Sequence, residues 1–349
     1  MDYSGINAKV RTMRKFLFKR EQYEILGQNT SVIDFGLKLK EYPMYKKSIS
    51  SIEDSKLKRF SIEQKIILSL FDEYKRIHTS IYNYEIKKFL DAYYLKNEIR
   101  LINSFLCSIH SQKGINYSSL ELHDILGKKF RFDADKLKQS KNIDQFVESL
   151  KGTIFYDGLS SVSEDNKTPF EMEMKLELYY FINVWNMKNR LDRVNKQITT
   201  KILGTEIDLR NIIWIYRLKK YYEFDESRIY AHLIPINYRI ETHELKKMVE
   251  SKNLHDLTSC IISCKYKDIF IDVIHDINGA RIEYAFFHKM SKIFRTLETQ
   301  YTNSIALTVG YIYRKEVELQ NLTTLLECIK YKLEPKESLK HLNLIRSGY

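Results

Sequence analysis

Two residue types recur in this chain at a spacing that could carry chemistry. Glu98-Ile-Arg-Leu-Ile-Asn103, Glu206-Ile-Asp-Leu-Arg-Asn211 and Glu316-Val-Glu-Leu-Gln-Asn321 share one pattern: glutamate, β-branched residue, polar residue, leucine, any residue, asparagine, then an apolar run. Glutamates on three equivalent helices could converge on an axis as an acid cluster. The local reading is that each stands at a helix start, where the helix dipole favours a carboxylate by about 0.3–1 kcal/mol. Asn103, Asn211 and Asn321 lie in apolar runs. A buried amide must be hydrogen-bonded, so each is expected to pin a neighbouring helix or loop. A polar pair present in every copy suits architecture better than catalysis.

Other chemistry finds little support. His243-Glu244 lacks the second histidine of a zinc-protease motif and reads as a helix start. The nine histidines are scattered, without ligand spacing. There is no phosphate-binding glycine loop, no nucleophile elbow and no DDxxD acid pair. Cys107, Cys260, Cys264 and Cys328 form no C-x-x-C pair and read as reduced thiols of a cytoplasmic protein. No cofactor, metal or catalytic residue is expected.

The elements that must position these residues recur with them. The Glu98, Glu206 and Glu316 spacings are 108 and 110 residues. A second mark, an apolar–glutamate step before a helical run, recurs at Ile62-Glu63, Met172-Glu173 and Ile282-Glu283, spaced 110 and 110. A third pairs Ser140-Lys-Asn-Ile143 with Ser251-Lys-Asn-Leu254 at 111, leading to Tyr156 and Tyr266 at 110. Its next copy would fall beyond residue 349, but Gln28-Asn29-Thr30 leads to Tyr45 at the other end, with lags of 113 and 111. The reading is three helical units: 46–156, 157–266, and 267–349 completed by 1–45. The period exceeds that of ordinary solenoids, so each unit holds several helices. Closure with pseudo-three-fold symmetry predicts a funnel.

Fold class is expected to be all-α. With 11 glycines and 4 prolines in 349 residues, tight turns are scarce, while an apolar fraction of 44% can build a core. Thr168-Pro169 predicts a helix start. Apolar spacing predicts helices over Glu171–Val194 and Glu206–Tyr222, near 61–90 and near 281–300, with short extended pieces around Lys267–Val273. No secretory leader and no run of about 20 apolar residues is visible, so membrane association is expected through a partner.

The net charge of +12 implies acidic partners. Basic clusters stand at Lys9–Arg20, Lys38–Lys47, Lys56–Arg59 and Arg217–Lys220, and Arg217, Lys219 and Lys220 are candidate partner contacts.

Asn7–Arg11, Glu206–Lys219 and Gly310–Thr324, with the repeat, resemble the C subunit of the bacterial and archaeal V/A-type ATPases, a family related to the d subunit of the eukaryotic vacuolar enzyme. The resemblance implies a non-catalytic central-stalk rotor part. Such a part seats the shaft subunits on the membrane proteolipid ring and couples ATP turnover to proton or sodium movement. It lies at the cytoplasmic side of the membrane, and no nucleic acid is expected among its partners. Two other readings stay open on the residues alone: a basic helical scaffold for nucleic acid, and a helical enzyme with a central acidic cavity.

Overall fold

Three of the four prolines, Pro43, Pro169 and Pro335, open helices. There the missing N–H has no intrahelical partner to lose. The computed structural model describes residues 3–110, 131–162, 167–273 and 279–344. Among them there is no strand, and the fold is all-α.

In chain order the helices are α1 Ser4–Arg14, α2 Arg20–Gly27, α3 Val32–Leu39, α4 Pro43–Ser50, α5 Arg59–His78 and α6 Tyr84–His110. Then come α7 Ala134–Gln139, α8 Ile143–Ser149, α9 Tyr156–Ser160, α10 Pro169–Met187, α11 Arg193–Tyr221 and α12 Glu226–His232. The last are α13 Thr242–Val249, α14 Leu254–Ser263, α15 Lys267–Phe270, α16 Gly279–Gln300, α17 Ala306–Lys330 and α18 Pro335–Lys340.

The chain forms two compact units, Met1–Tyr82 with Ile269–Tyr349, and Asn83–Asp268. In the first, the buried helix α17 is wrapped by α1, α2, α3, α5 and α16. N- and C-terminal segments thus share one core. In the second, α11 is buried along most of its length, and α6 packs against α10. Helices apolar nearly all round belong in such interiors.

Side-chain caps set several of the boundaries. Ser31, Asn142 and Asn253 accept the N–H of Asp34, Gln145 and Asp256. The caps are spaced 142 − 31 = 111 and 253 − 142 = 111, so Ser31, not Asn29, holds this position in the N-terminal segment. Asn29 instead donates to the carbonyl of Leu26.

Some boundaries differ from those the apolar spacing predicts. The helix expected over Glu171–Val194 ends at Met187, and Asp192 caps a new one by accepting the N–H of Val194 and Asn195. That helix starts at Arg193 rather than Glu206. It runs through Gly204 because the Tyr238 ring lies where a Cβ would stand. The expected helix near 61–90 breaks after His78, and Asn83 accepts the N–H of Ile86 at the next start. Lys267–Phe270 is helical, not extended: Ile269 and Phe270 bury against the core.

Candidate functional site

The repeated glutamates are not at helix starts. Glu98, Glu206 and Glu316 sit in the interiors of α6, α11 and α17, and all three are buried. The dipole argument therefore fails for them; each long helix begins more than a turn earlier. Glu98 Oε2 has no hydrogen-bond partner among the described residues. Burial pushes its pKa up to about 7, against the pull of Arg131. Among the described residues, no three His, Cys, Asp or Glu side chains gather to hold a metal.

The asparagines brace loops. Asn211 Nδ2 donates to the carbonyl of Ile234 (3.0 Å), and its Oδ1 accepts the Ile234 N–H (3.0 Å). Asn321 brackets Asn343 in the same way, at 3.1 and 2.8 Å. One amide thus satisfies both backbone groups of a single loop residue, 23 and 22 residues downstream. The corresponding stretch after Asn103 lies outside the described residues.

A second polar position carries as much of the bracing. Asp208, two residues after Glu206, is buried and accepts the N–H groups of Tyr238 (3.2 Å), Arg239 (2.7 Å) and Ile240 (3.2 Å). The Tyr266 hydroxyl donates to it as well, at 2.8 Å. Burial, more than any charge, raises the pKa of Asp208, and these donors oppose it. Glu318, two residues after Glu316, accepts the Phe18 N–H (2.6 Å), the Tyr45 hydroxyl and Lys315 Nζ (2.6 Å). Burial first, then the acid beside it, pushes the pKa of Tyr45 and of Tyr266 up, so both stay donors. A buried charge needs such partners.

The first copy has Arg100 in place of this acid, and Arg100 donates to Asn97. Its buried ring is Phe155, while Tyr156 is partly exposed and donates to Glu148. Phe155 and Tyr266 stand equally far past their caps (155 − 142 = 13; 266 − 253 = 13), so Phe155 is the counterpart of Tyr266. Acid and hydroxyl are absent together in that copy. The repeat pattern treats the acid as merely polar; its recurrence in two copies at the Tyr266 and Tyr45 lag is the signal that could have found it.

The remaining positions are peripheral. Ile62, Met172 and Ile282 are buried. Glu63 is half-buried and pairs with Arg59 at 2.6 Å, while Glu173 and Glu283 are exposed. At the end of α11, Lys219 donates to the carbonyl of Ser251 (2.9 Å), tying it to its own unit. Lys220 is exposed and lies over the Tyr216 and Tyr221 rings; Arg217 is half-buried.

The model of one protein family, described as ATP synthase (C/AC39) subunit, matches residues 6–340. The chain is 25% identical over 335 residues to the A-type ATP synthase C subunit of Methanobrevibacter smithii, covering 92% of this chain and 82% of that one. It is 23% identical to the protein of the same name from Methanosphaera stadtmanae (98% and 88% covered), and 20% identical to that from Pyrococcus abyssi (96% and 88%).

Proposed function

This chain belongs to the ATP synthase (C/AC39) subunit family, and we propose that it is a non-catalytic central-stalk rotor part of such a complex. It couples the soluble shaft subunits to the membrane proteolipid ring for ATP-linked proton or sodium transport. It sits at the cytoplasmic side as a peripheral part, held by its partners. Among the described residues no helix is long and apolar enough to cross a membrane. The three units 46–156, 157–266 and 267–349 with 1–45 form a funnel around a pseudo-three-fold axis.

One observation carries this reading. The buried acids and amides of α11 and α17 are spent on their own loops: Asp208 on Tyr238–Ile240 and Asn211 on Ile234, Glu318 on Phe18 and Asn321 on Asn343. A part that transmits torque needs stiffness, and close-packed helices with satisfied polar joints supply it. Its charge of +12 suits acidic partner faces.

The test is capture of the tagged chain from detergent-solubilised membranes of its source cells. The expected co-purified proteins are nucleotide-binding head subunits, shaft subunits and a proteolipid, with ATP hydrolysis in the eluate. Crosslinkers at Arg217, Lys219 and Lys220 should reach the shaft. Capture of the chain without any nucleotide-binding partner overturns the reading.

A further inference from the structure

Residues 284–315 contain one acid, Glu298, against Lys289, Lys292, Arg295, Arg314 and Lys315. Helix α1 has Lys9, Arg11 and Arg14 and no acid. The single carboxylate is placed to organise the cations around it. Arg314 forks onto Glu298 with two bonds, 2.6 and 2.8 Å. Arg14 adds a third at 3.0 Å. Gly310 makes the space, since a Cβ there would collide with Glu298 Oε1. Arg295, one helical turn from Glu298, is exposed and acts on Arg14: burial first, then Arg314 and Arg295, pulls the Arg14 pKa below its ordinary value. Two guanidinium groups thus share one carboxylate, and a third stands near enough to repel them. Arg11 and Lys292 continue the array one turn further along α1 and α16, both exposed and without an ion pair among the described residues.

The buried pair Lys315–Glu318 in the same unit balances charge one to one; this group does not. A guanidinium held by a buttress presents its remaining donors at reduced entropy cost, and its planar fork matches a carboxylate. We propose that the face formed by Arg11, Arg14, Lys292, Arg295 and Arg314 docks an acidic helix or loop of another protein of the complex. This rests on the reading that the chain works inside a multisubunit ATP synthase. A carboxylate-bearing partner fits better than nucleic acid. The array is short and fixed at one point by Glu298, whereas backbone-tracking nucleic-acid grooves are extended and sequence-tolerant.

The test compares the full tagged chain with its R11E/R295E variant, both captured from membranes. These positions are exposed, so circular dichroism and melting should be unchanged. The variant should capture roughly tenfold less of the nucleotide-binding subunits, and wild-type capture should fall steeply with salt. The neutral pair R11Q/R295Q should fall between. Equal capture by wild type and R11E/R295E overturns the proposal and leaves the ATP synthase reading intact. So does loss of binding to a short single-stranded RNA while the ATP synthase partners are captured as before. A wild-type chain that captures no ATP synthase partner overturns the underlying reading, and the proposal with it.

Discussion

Replacing Glu98 by glutamine should stabilise the protein at alkaline pH and not at acid pH. The carboxyl is buried inside α6, with Oε2 unpartnered among the described residues. Burial is the main cause of its rise from 4.5 to about 7; Asp91 adds to the rise, while the Arg131 charge and backbone N–H oppose it. In the unfolded chain the group titrates near its ordinary value. The folded state therefore binds the proton more tightly, and stability must fall as pH climbs between the two values. Below the unfolded pKa both states are protonated and there is no penalty. Above the folded pKa the penalty is complete. The shift from 4.5 to about 7 corresponds to about 3 kcal/mol at about 1.4 kcal/mol per unit. Glutamine keeps the shape and abolishes the titration. Any cost of its own amide offsets both ends of the pH range alike, so the readout is the slope. Urea unfolding followed by circular dichroism, at about pH 5, 6 and 8, should give wild-type and E98Q stabilities that diverge with rising pH by up to ~3 kcal/mol. Parallel curves would refute the reasoning: the carboxyl would then be solvated or paired, and α6 would hold no buried proton.

Asn211→Leu removes both partners of Ile234 and should cost about 2–4 kcal/mol in chemical denaturation, because a backbone donor and an acceptor are left buried. Tyr266→Phe should cost about 1.5–3 kcal/mol, and a double-mutant cycle with Asp208→Asn should show coupling of at least ~1 kcal/mol. Phe155→Tyr should bring no matching gain in the same denaturation assay, since Arg100 stands where the acid would be. Gly204→Ala, ordinarily favourable within a helix, should instead destabilise by about 1–3 kcal/mol in thermal melts, because the Tyr238 ring must move.

Much of the local architecture is legible in the sequence. Proline at a first helical position, Asn142 and Asn253 as caps, and the recurrence near 110 residues follow from short-range rules. So does the demand that an amide in an apolar helix be paired. Boundaries are less legible where a short-range signal meets a distant neighbour. Glu206 resembles a helix start, and Gly204 just before it resembles a break; Tyr238, 34 residues on, covers the glycine and lets α11 pass (238 − 204 = 34). The N-terminal cap likewise lies two residues past Asn29, because Ser31 has the extended backbone that lets its hydroxyl accept the Asp34 N–H. What only the tertiary structure decided is which polar groups meet. Asp208 finds Tyr266 58 residues away, and Glu318 finds Tyr45 across 273. A sequence states that a buried carboxylate needs donors. It does not state which distant backbone will supply them, because that depends on how whole helices pack.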